Sequence, residues 1–374
     1  MAKAKKEELQ EDLPVEIGTV SKDSIRAINS IKTALKKKYG DDVFSEKTIA
    51  AMPSISTGSA LIDAEIGNSG LVLGRLHEIY GDTGSGKTTL ATLIAANALE
   101  QYPDKYILYI DFEQALDMRY AKLLGLNVYD ERVIIVQPSS AEEGFEILYN
   151  MLNTGSVSLV VVDSIPAMLT KRELENGFDA ETMAEKARFL SRAIPKLLDV
   201  LKVTKSMVLF INQVREKVGY MGGKTTPGGK AIPFYASTRI EIARTGVLTS
   251  SDIAFGQEVK ATIRKNKVGQ PFGVIETKII FGHGFDIVGE TVDIAVKRDI
   301  IHRGGAWFNT PCGERFQGKA PCIDFYKTNK DKYEELRALV MSGTIGSGDV
   351  DENGLTEEEV ALQQLVEEEK QKYV

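Results

Sequence analysis

The sequence predicts an α/β fold: a mainly parallel, twisted sheet flanked by helices, with a small N-terminal helical segment and a small α/β C-terminal domain. Three observations carry this. Strand-like and helix-like stretches alternate from about residue 49 to residue 285, a pattern that favours a parallel sheet covered on both faces. The strand candidates Tyr106–Ile110, Val133–Val136, Leu159–Val162 and Met207–Ile211 are nearly continuous apolar runs, as strands buried on both sides require. Finally, GDTGSGKT at Gly81–Thr88 matches G-x-x-x-x-G-K-[ST] between the apolar Leu76–Tyr80 and the Ala- and Leu-rich Thr89–Leu99. That strand–loop–helix setting is what the motif needs.

Taken in order, residues 1–20 read as unstructured. Residues 22–38 place Ile25, Ile28, Ile31 and Leu35 on one face of a helix. Tyr39–Gly40 stops it, and Lys32, Lys36, Lys37 and Lys38 crowd its C-terminal half, where cations suit the helix dipole. The apolar face must bury against something, either a neighbouring subunit or the chain's own core. Further helices are expected at 89–101, 142–153 and 183–202, and strand-like segments with short turns recur from 235 to 281 as antiparallel additions to one edge. The expected divisions are an N-terminal oligomerisation helix region (1–48), a core (49–285), a small C-terminal domain (286–345) and an acidic, disordered tail (346–374).

The 374 residues carry a net charge of −7. Residues 349–374 hold nine acidic and two basic side chains, which accounts for all of it and leaves the body neutral. Such a tail is either a plain solvated extension or a competitor of nucleic acid for a basic surface. No stretch is long and apolar enough to span a membrane, and the charged N-terminus lacks the apolar core of a secretory signal. A cytoplasmic protein is the expectation. Cys312 and Cys322 alone make no disulfide framework, and three scattered histidines make no zinc cluster.

The loop Gly81, Asp82, Thr83, Gly84, Ser85, Gly86, Lys87, Thr88, with Thr89 behind it, predicts ATP binding with Mg²⁺. Its glycines let backbone N–H groups close on phosphate oxygens at a helix N-terminus. Lys87 would reach the outer phosphates, and Thr88 would hold the cation. Asp163, directly after an apolar strand, is the expected partner of Thr88 in holding the metal. Glu113, after the strand ending at Asp111, is a candidate for orienting an attacking water. The competing view is that these acids only cap strand ends.

Asn212-Gln213 follows another buried strand, where an amide can sense a phosphate. The next loop holds five glycines between Gly219 and Gly229, with Arg215, Lys217 and Lys224, and the apolar Val218, Tyr220 and Met221. That mixture suits a nucleic-acid backbone and unstacked bases; by composition alone, a mobile surface loop fits it better. Lys265 and Lys267 are two apart, so in a strand they share a face. They would hold a phosphate or merely guard a solvated edge.

These segments in this order resemble the bacterial RecA recombinase family over about residues 22–340. The matching stretches are STGS at Ser56–Ser59, EIYG before the phosphate loop, IDFEQALD at Ile110–Asp117 and VVVDS at Val160–Ser164. They continue with LFINQVREKVG at Leu209–Gly219, TPGGKAIPFYAS at Thr226–Ser237, KNK at Lys265–Lys267 and GAWF at Gly305–Phe308.

The resemblance implies a RecA-type ATPase core that polymerises on single-stranded DNA as a helical homo-oligomer and exchanges strands with homologous duplex DNA. It implies that Glu113 is catalytic and that Gln213 reports the γ-phosphate to the DNA loops. It places adenine against Asp117 and Tyr120, with Phe281 covering the nucleotide, and lets Lys265 and Lys267 reach a neighbour's ATP. DNA contacts would fall on a first loop at 175–183, including Met183, and on Arg188. A second loop near 214–227 would add Arg215, Val218, Met221 and Lys224, with Gly228 and Gly229 beside it.

Pro195 and Pro233 stand where the family has basic residues, and the second loop is about two residues short, as in a phage-encoded or otherwise divergent member. Two competing functional classes are an ATP-binding filament regulator or loader with little hydrolysis, and a ring-forming motor.

Overall fold

A computed structural model describes residues 22–40, 52–176, 184–216 and 224–342. The expectations for residues 1–20, for the acidic tail and for most of the two DNA loops lie outside these residues. Helix α1 (Lys22–Tyr39) belongs to a unit of its own, separate from the body that begins at Met52. Ile25, Ile28 and Ile31 are exposed on it, Lys36, Lys37 and Lys38 fill its last turn, and Gly40 follows at φ +89°.

In the body, β1 (Ser54–Ile55) and β2 (Leu71–Val72) form a short antiparallel ribbon. The strands β3 (Leu76–Gly81), β4 (Tyr106–Asp111), β5 (Val133–Val136), β6 (Val157–Asp163) and β7 (Met207–Gln213) follow. A second ribbon, β8 (Arg215–Glu216) and β9 (Lys224–Thr225), precedes β10 (Thr238–Ser250), β11 (Ile253–Asn266), β12 (Val274–Ile280) and β13 (Gly284–Phe285). The main sheet runs β13-β12-β11-β10-β3-β7-β6-β4-β5. From β10 to β5 every neighbouring pair is parallel, and β11, β12 and β13 are antiparallel additions at one edge. The sequence-predicted sheet is therefore present, with its antiparallel edge where the turn-rich segment lies.

The helices are α2 (Ala60–Ile66), α3 (Lys87–Gln101), α4 (Met118–Leu123), α5 (Ala141–Asn153), α6 (Lys171–Glu175), α7 (Glu185–Thr204), α8 (Ala231–Tyr235), α9 (Ile287–Lys297), α10 (Lys319–Thr328) and α11 (Lys330–Ser342). Strand alternation explains why both faces of the sheet need cover. On β4, Ile107 and Tyr109 enter the core shared with α2, α3 and α4, while Leu108 and Ile110 enter the core shared with α5, α7 and α8. Helix α7 buries Leu190, Ile194, Leu197 and Leu201, spaced four, three and four apart. Pro195 lies inside α7, which continues past it. The proline has no N–H for the Ser191 carbonyl, so one hydrogen bond is lost without ending the helix.

The C-terminal residues carry a third core, including Val292, Ile301, Phe308, Cys322, Tyr326 and Leu336. It is built from α9, α10, α11 and a small antiparallel sheet of β14 (His302–Gly304), β15 (Trp307–Asn309) and β16 (Arg315–Gln317). A buried carboxylate fastens α9 to the main body. Glu290 accepts from Ser59 Oγ at 3.0 Å and from the Leu61 amide at 3.3 Å, and also from Thr277 Oγ1. Cys312 and Cys322 are free thiols. No helix among the described residues is long and apolar enough to cross a membrane.

Candidate nucleotide and nucleic-acid site

The phosphate loop leaves the C-terminal end of β3 in mid-sheet. Gly81 pairs with Gln213 of β7 on one side and Ile242 of β10 on the other. A Cβ on Gly81 would fall 1.9 Å from the Ile242 carbonyl oxygen, so only glycine fits. Gly86 precedes α3 at φ +96°, and a Cβ there would meet Ile279 Cδ1 at 2.6 Å. Lys87 folds back across the loop and donates to the Asp82 carbonyl at 2.8 Å. Burial lowers its pKa, while Asp163, Glu113 and Asp82 act in the opposite sense. The Ser85 hydroxyl is buried with no hydrogen-bond partner. An orphaned donor beside a lysine and a helix N-terminus fits a phosphate oxygen.

Thr88 and Asp163, the two residues expected to hold a cation, are in contact. Thr88 Oγ1 donates to Asp163 Oδ2 at 3.1 Å, and the buried Tyr109 hydroxyl donates to the same oxygen at 2.9 Å. Burial pushes the Asp163 pKa up to about 6, with Glu113 and Asp111 adding to the rise; the Tyr109 and Thr88 hydrogen bonds oppose it. The Asp163 carboxylate and the Thr88 hydroxyl are both oxygen donors, the chemistry that suits Mg²⁺.

Asp111 and Asp163 are register partners on β4 and β6. Their roles divide. Asp111 accepts the Ala115 amide at 3.4 Å and the Leu116 amide at 3.2 Å, so it does cap the strand end. Asp163 and Glu113 instead use their carboxylates on side chains. Ser164 Oγ donates to Glu113 Oε1, and Gln213 Nε2 donates to that oxygen at 3.4 Å.

Asp117 is the N-cap of α4, taking the Arg119 and Tyr120 amides at 2.8 and 3.0 Å through one carboxylate oxygen. Tyr120 is half-buried against the first core. Phe281 is exposed just beyond β12, and a Cβ on the adjacent Gly282 would lie 3.5 Å from Leu123 of α4. The end of β12 and α4 therefore stand side by side, which brings Phe281 near the helix bearing Tyr120.

A polar relay missed by the sequence reading lies behind Gln213. Asn212 Nδ2 donates to Glu78 Oε1 at 2.9 Å and to the Pro227 carbonyl at 3.1 Å. Glu78, fully buried, also takes Arg239 Nε at 2.5 Å, and Arg239 lies 4.6 Å over the Tyr80 ring. The buried charge is thus paired and hydrogen-bonded, as burial demands. Polar residues inside apolar strands are the only sequence signal for it.

Of the expected DNA contacts, Met183, Val218 and Met221 lie outside the described residues. Arg215 and Lys224 sit on the β8–β9 ribbon, where Arg215 pairs with Thr225 and Glu216 with Lys224. Arg188 is exposed and forms an ion pair with Glu185 at 3.3 Å. Gly228 and Gly229 have φ +91° and +74°, and Cβ atoms there would meet Leu190 and Ala187 of α7 at 2.8 Å. These glycines let the second loop return close against the helix that carries Arg188.

The lysine pair needs one correction. β11 ends at Asn266, so the same-face argument does not reach Lys267, whose amide turns to the Ser237 carbonyl at 2.9 Å. The Lys265 ammonium donates to the Pro233 and Phe234 carbonyls at 2.8 and 2.7 Å. Burial lowers the Lys265 pKa, and the nearby charges of Lys267 and Arg239 lower it further. Pro233 is the third residue of α8, where a backbone N–H has no helical partner to lose.

Fold and site together define a nucleotide-binding α/β protein of the phosphate-loop class, with Asp111 and Asp163 at the C-terminal ends of parallel strands. Residues 26–286 match the model of the RecA N-terminal domain. The chain is 38% identical to Protein RecA of Wolinella succinogenes over 330 residues, covering 87% of this chain and 93% of that protein. It is 36% identical to Protein RecA of Colwellia psychrerythraea over 340 residues, covering 88% and 97%. The figure for Protein RecA of a Caulobacter species is 37% over 333 residues, covering 88% and 92%. The chain belongs to the RecA family.

Proposed function

We propose that this chain is an ATP-dependent DNA recombinase. It polymerises on single-stranded DNA as a helical homo-oligomer and catalyses homologous pairing and strand exchange with duplex DNA, with DNA-dependent ATP hydrolysis. Lys87, Ser85 and the backbone amides of the loop hold the phosphates. Thr88 and Asp163 hold Mg²⁺, which when bound neutralises phosphate charge. Glu113 orients the attacking water. Tyr120 and Phe281 flank the base, with Asp117 at its edge. Lys265 and Lys267, at the end of β11 beside Arg239 of β10, reach the nucleotide of an adjoining copy.

The N-terminal region, 1–48, serves assembly; 49–285 is the ATPase and DNA-binding core, followed by the small domain 286–345 and the acidic tail. The protein works in the cytoplasm.

The contact between Gln213 and Glu113 carries this reading. It ties the start of the second loop to the group placed to activate water, so nucleotide state and strand grip share one hydrogen bond. Two ligands coupled through it would change each other's affinity by the same factor.

The test combines the full chain, ATP, Mg²⁺, circular single strands and homologous linear duplex. Joint molecules are expected only with ATP and homology, together with ATP hydrolysis stimulated by the single strand. DNA binding without hydrolysis or exchange would replace this reading with a filament regulator, and closed rings in electron micrographs would replace it with a motor.

A further inference from the structure

Tyr109 is an anomaly in its own core. Its ring is fully buried among the apolar side chains between the sheet and α3. A phenylalanine would fill that volume without a hydroxyl to satisfy. The hydroxyl instead reaches the site at the end of the sheet, donating to Asp163 Oδ2 at 2.9 Å. The oxygen it meets is the one that takes Thr88 Oγ1 at 3.1 Å. Two donors from separate elements, β4 and the first turn of α3, therefore fix one carboxylate oxygen. Burial and the Asp163 charge hold the phenol pKa well above its ordinary value, so the hydroxyl remains a donor.

We propose that Tyr109 is a positioning residue: its hydroxyl locks the Asp163 carboxylate against Thr88 and so sets the affinity for the divalent cation that accompanies the nucleotide. The inference rests on the reading of Thr88 and Asp163 as the cation's holders. Partners that orient a ligating carboxylate affect metal affinity by roughly tenfold or more.

The experiment measures binding of a fluorescent ATP analogue to full-length wild type and Tyr109→Phe, first in EDTA and then across a Mg²⁺ titration. Affinity in EDTA is expected to stay within about twofold of wild type, while the Mg²⁺ concentration for half-maximal tightening rises about tenfold. Tyr109→Met, which also fills the core without a donor, is expected to show the same shift and serves if the phenylalanine variant does not fold. A Mg²⁺ dependence identical to wild type overturns the proposal. An equal loss in EDTA and in Mg²⁺ overturns it too, because Tyr109 is then only a core residue. A wild type that binds nucleotide with no Mg²⁺ dependence overturns the assignment of Thr88 and Asp163 itself, and the proposal with it.

Discussion

The Gln213 side-chain amide lies 3.4 Å from the Glu113 carboxylate, although the two residues are 100 apart in the chain. They meet because β7 and β4 flank β6 in the parallel sheet and both end at the same rim. Gln213 is also the last residue of β7, and only Val214 separates it from the β8–β9 ribbon of the second loop. The contact joins Glu113 to the base of that loop.

Gln213→Ala should uncouple the two ligands. ATP affinity without DNA is expected to change less than about threefold, whereas the gain in single-strand affinity on adding ATP, ordinarily 5- to 150-fold for coupled sites, is expected to vanish. Titrating labelled oligonucleotide with and without ATP checks this. An undiminished ATP effect would remove Gln213 from the link.

Lys87→Ala removes the one ammonium in the loop and leaves the Asp82 carbonyl to water. Loss of a charge aimed at the transferring phosphate typically costs on the order of a hundredfold or more in turnover. DNA-stimulated ATP hydrolysis should fall at least that far, and ATP-dependent joint-molecule formation should disappear. Retention of either within about tenfold of wild type would contradict the assignment of the loop.

Glu290 makes stability depend on pH in a defined sense. Burial raises its pKa from 4.5 to about 7, against the opposing hydrogen bonds of Thr277, Ser59 and the Leu61 amide. Because the folded value is the higher one, the protonated carboxyl favours the fold. That contribution is complete below about pH 4.5 and is lost as pH rises through about 7. Asp63, raised to about 6 by burial, acts in the same direction. Relative to wild type, Glu290→Gln should therefore gain up to about 3 kcal/mol of stability between about pH 4.5 and pH 8. Denaturant titrations at several pH values measure the gap; a gap that does not change with pH would show that Glu290 titrates normally.

Deleting residues 349–374 removes the whole net charge of the chain. Single-strand binding should tighten, with the difference largest at low salt and shrinking as the screening length falls below about 10 Å near 0.1 M salt. Binding isotherms for the two proteins that superimpose at every salt concentration would mean the tail does not oppose DNA.

The phosphate loop, the acids after β4 and β6, and the parallel strands were legible because each is a local pattern. An apolar run of about four to seven residues, too short for a helix of its own and bounded by turn signals, fits a strand buried on both faces, and a glycine-rich turn between such a strand and a helix has few other uses. The relay of Asn212, Glu78 and Arg239 was not legible. Those residues lie on three strands, and nothing in their local sequence says that β3 runs between β7 and β10. The common face of the lysine pair was not legible either: two-residue spacing assumes a strand, and β11 ends at Asn266, one residue before Lys267.

By itself, then, the sequence determined the fold class, the order of elements, the phosphate loop, and the separation of a neutral body from an acidic tail. Those follow from periodicity, glycine stereochemistry and charge, all local quantities. Only the tertiary structure decided that Asp111 caps its own loop while Asp163 faces Thr88, that Tyr109 reaches the same carboxylate from the core, and that Gln213 meets Glu113. Each depends on which strands are neighbours and in what register, and register is set by packing across the whole sheet.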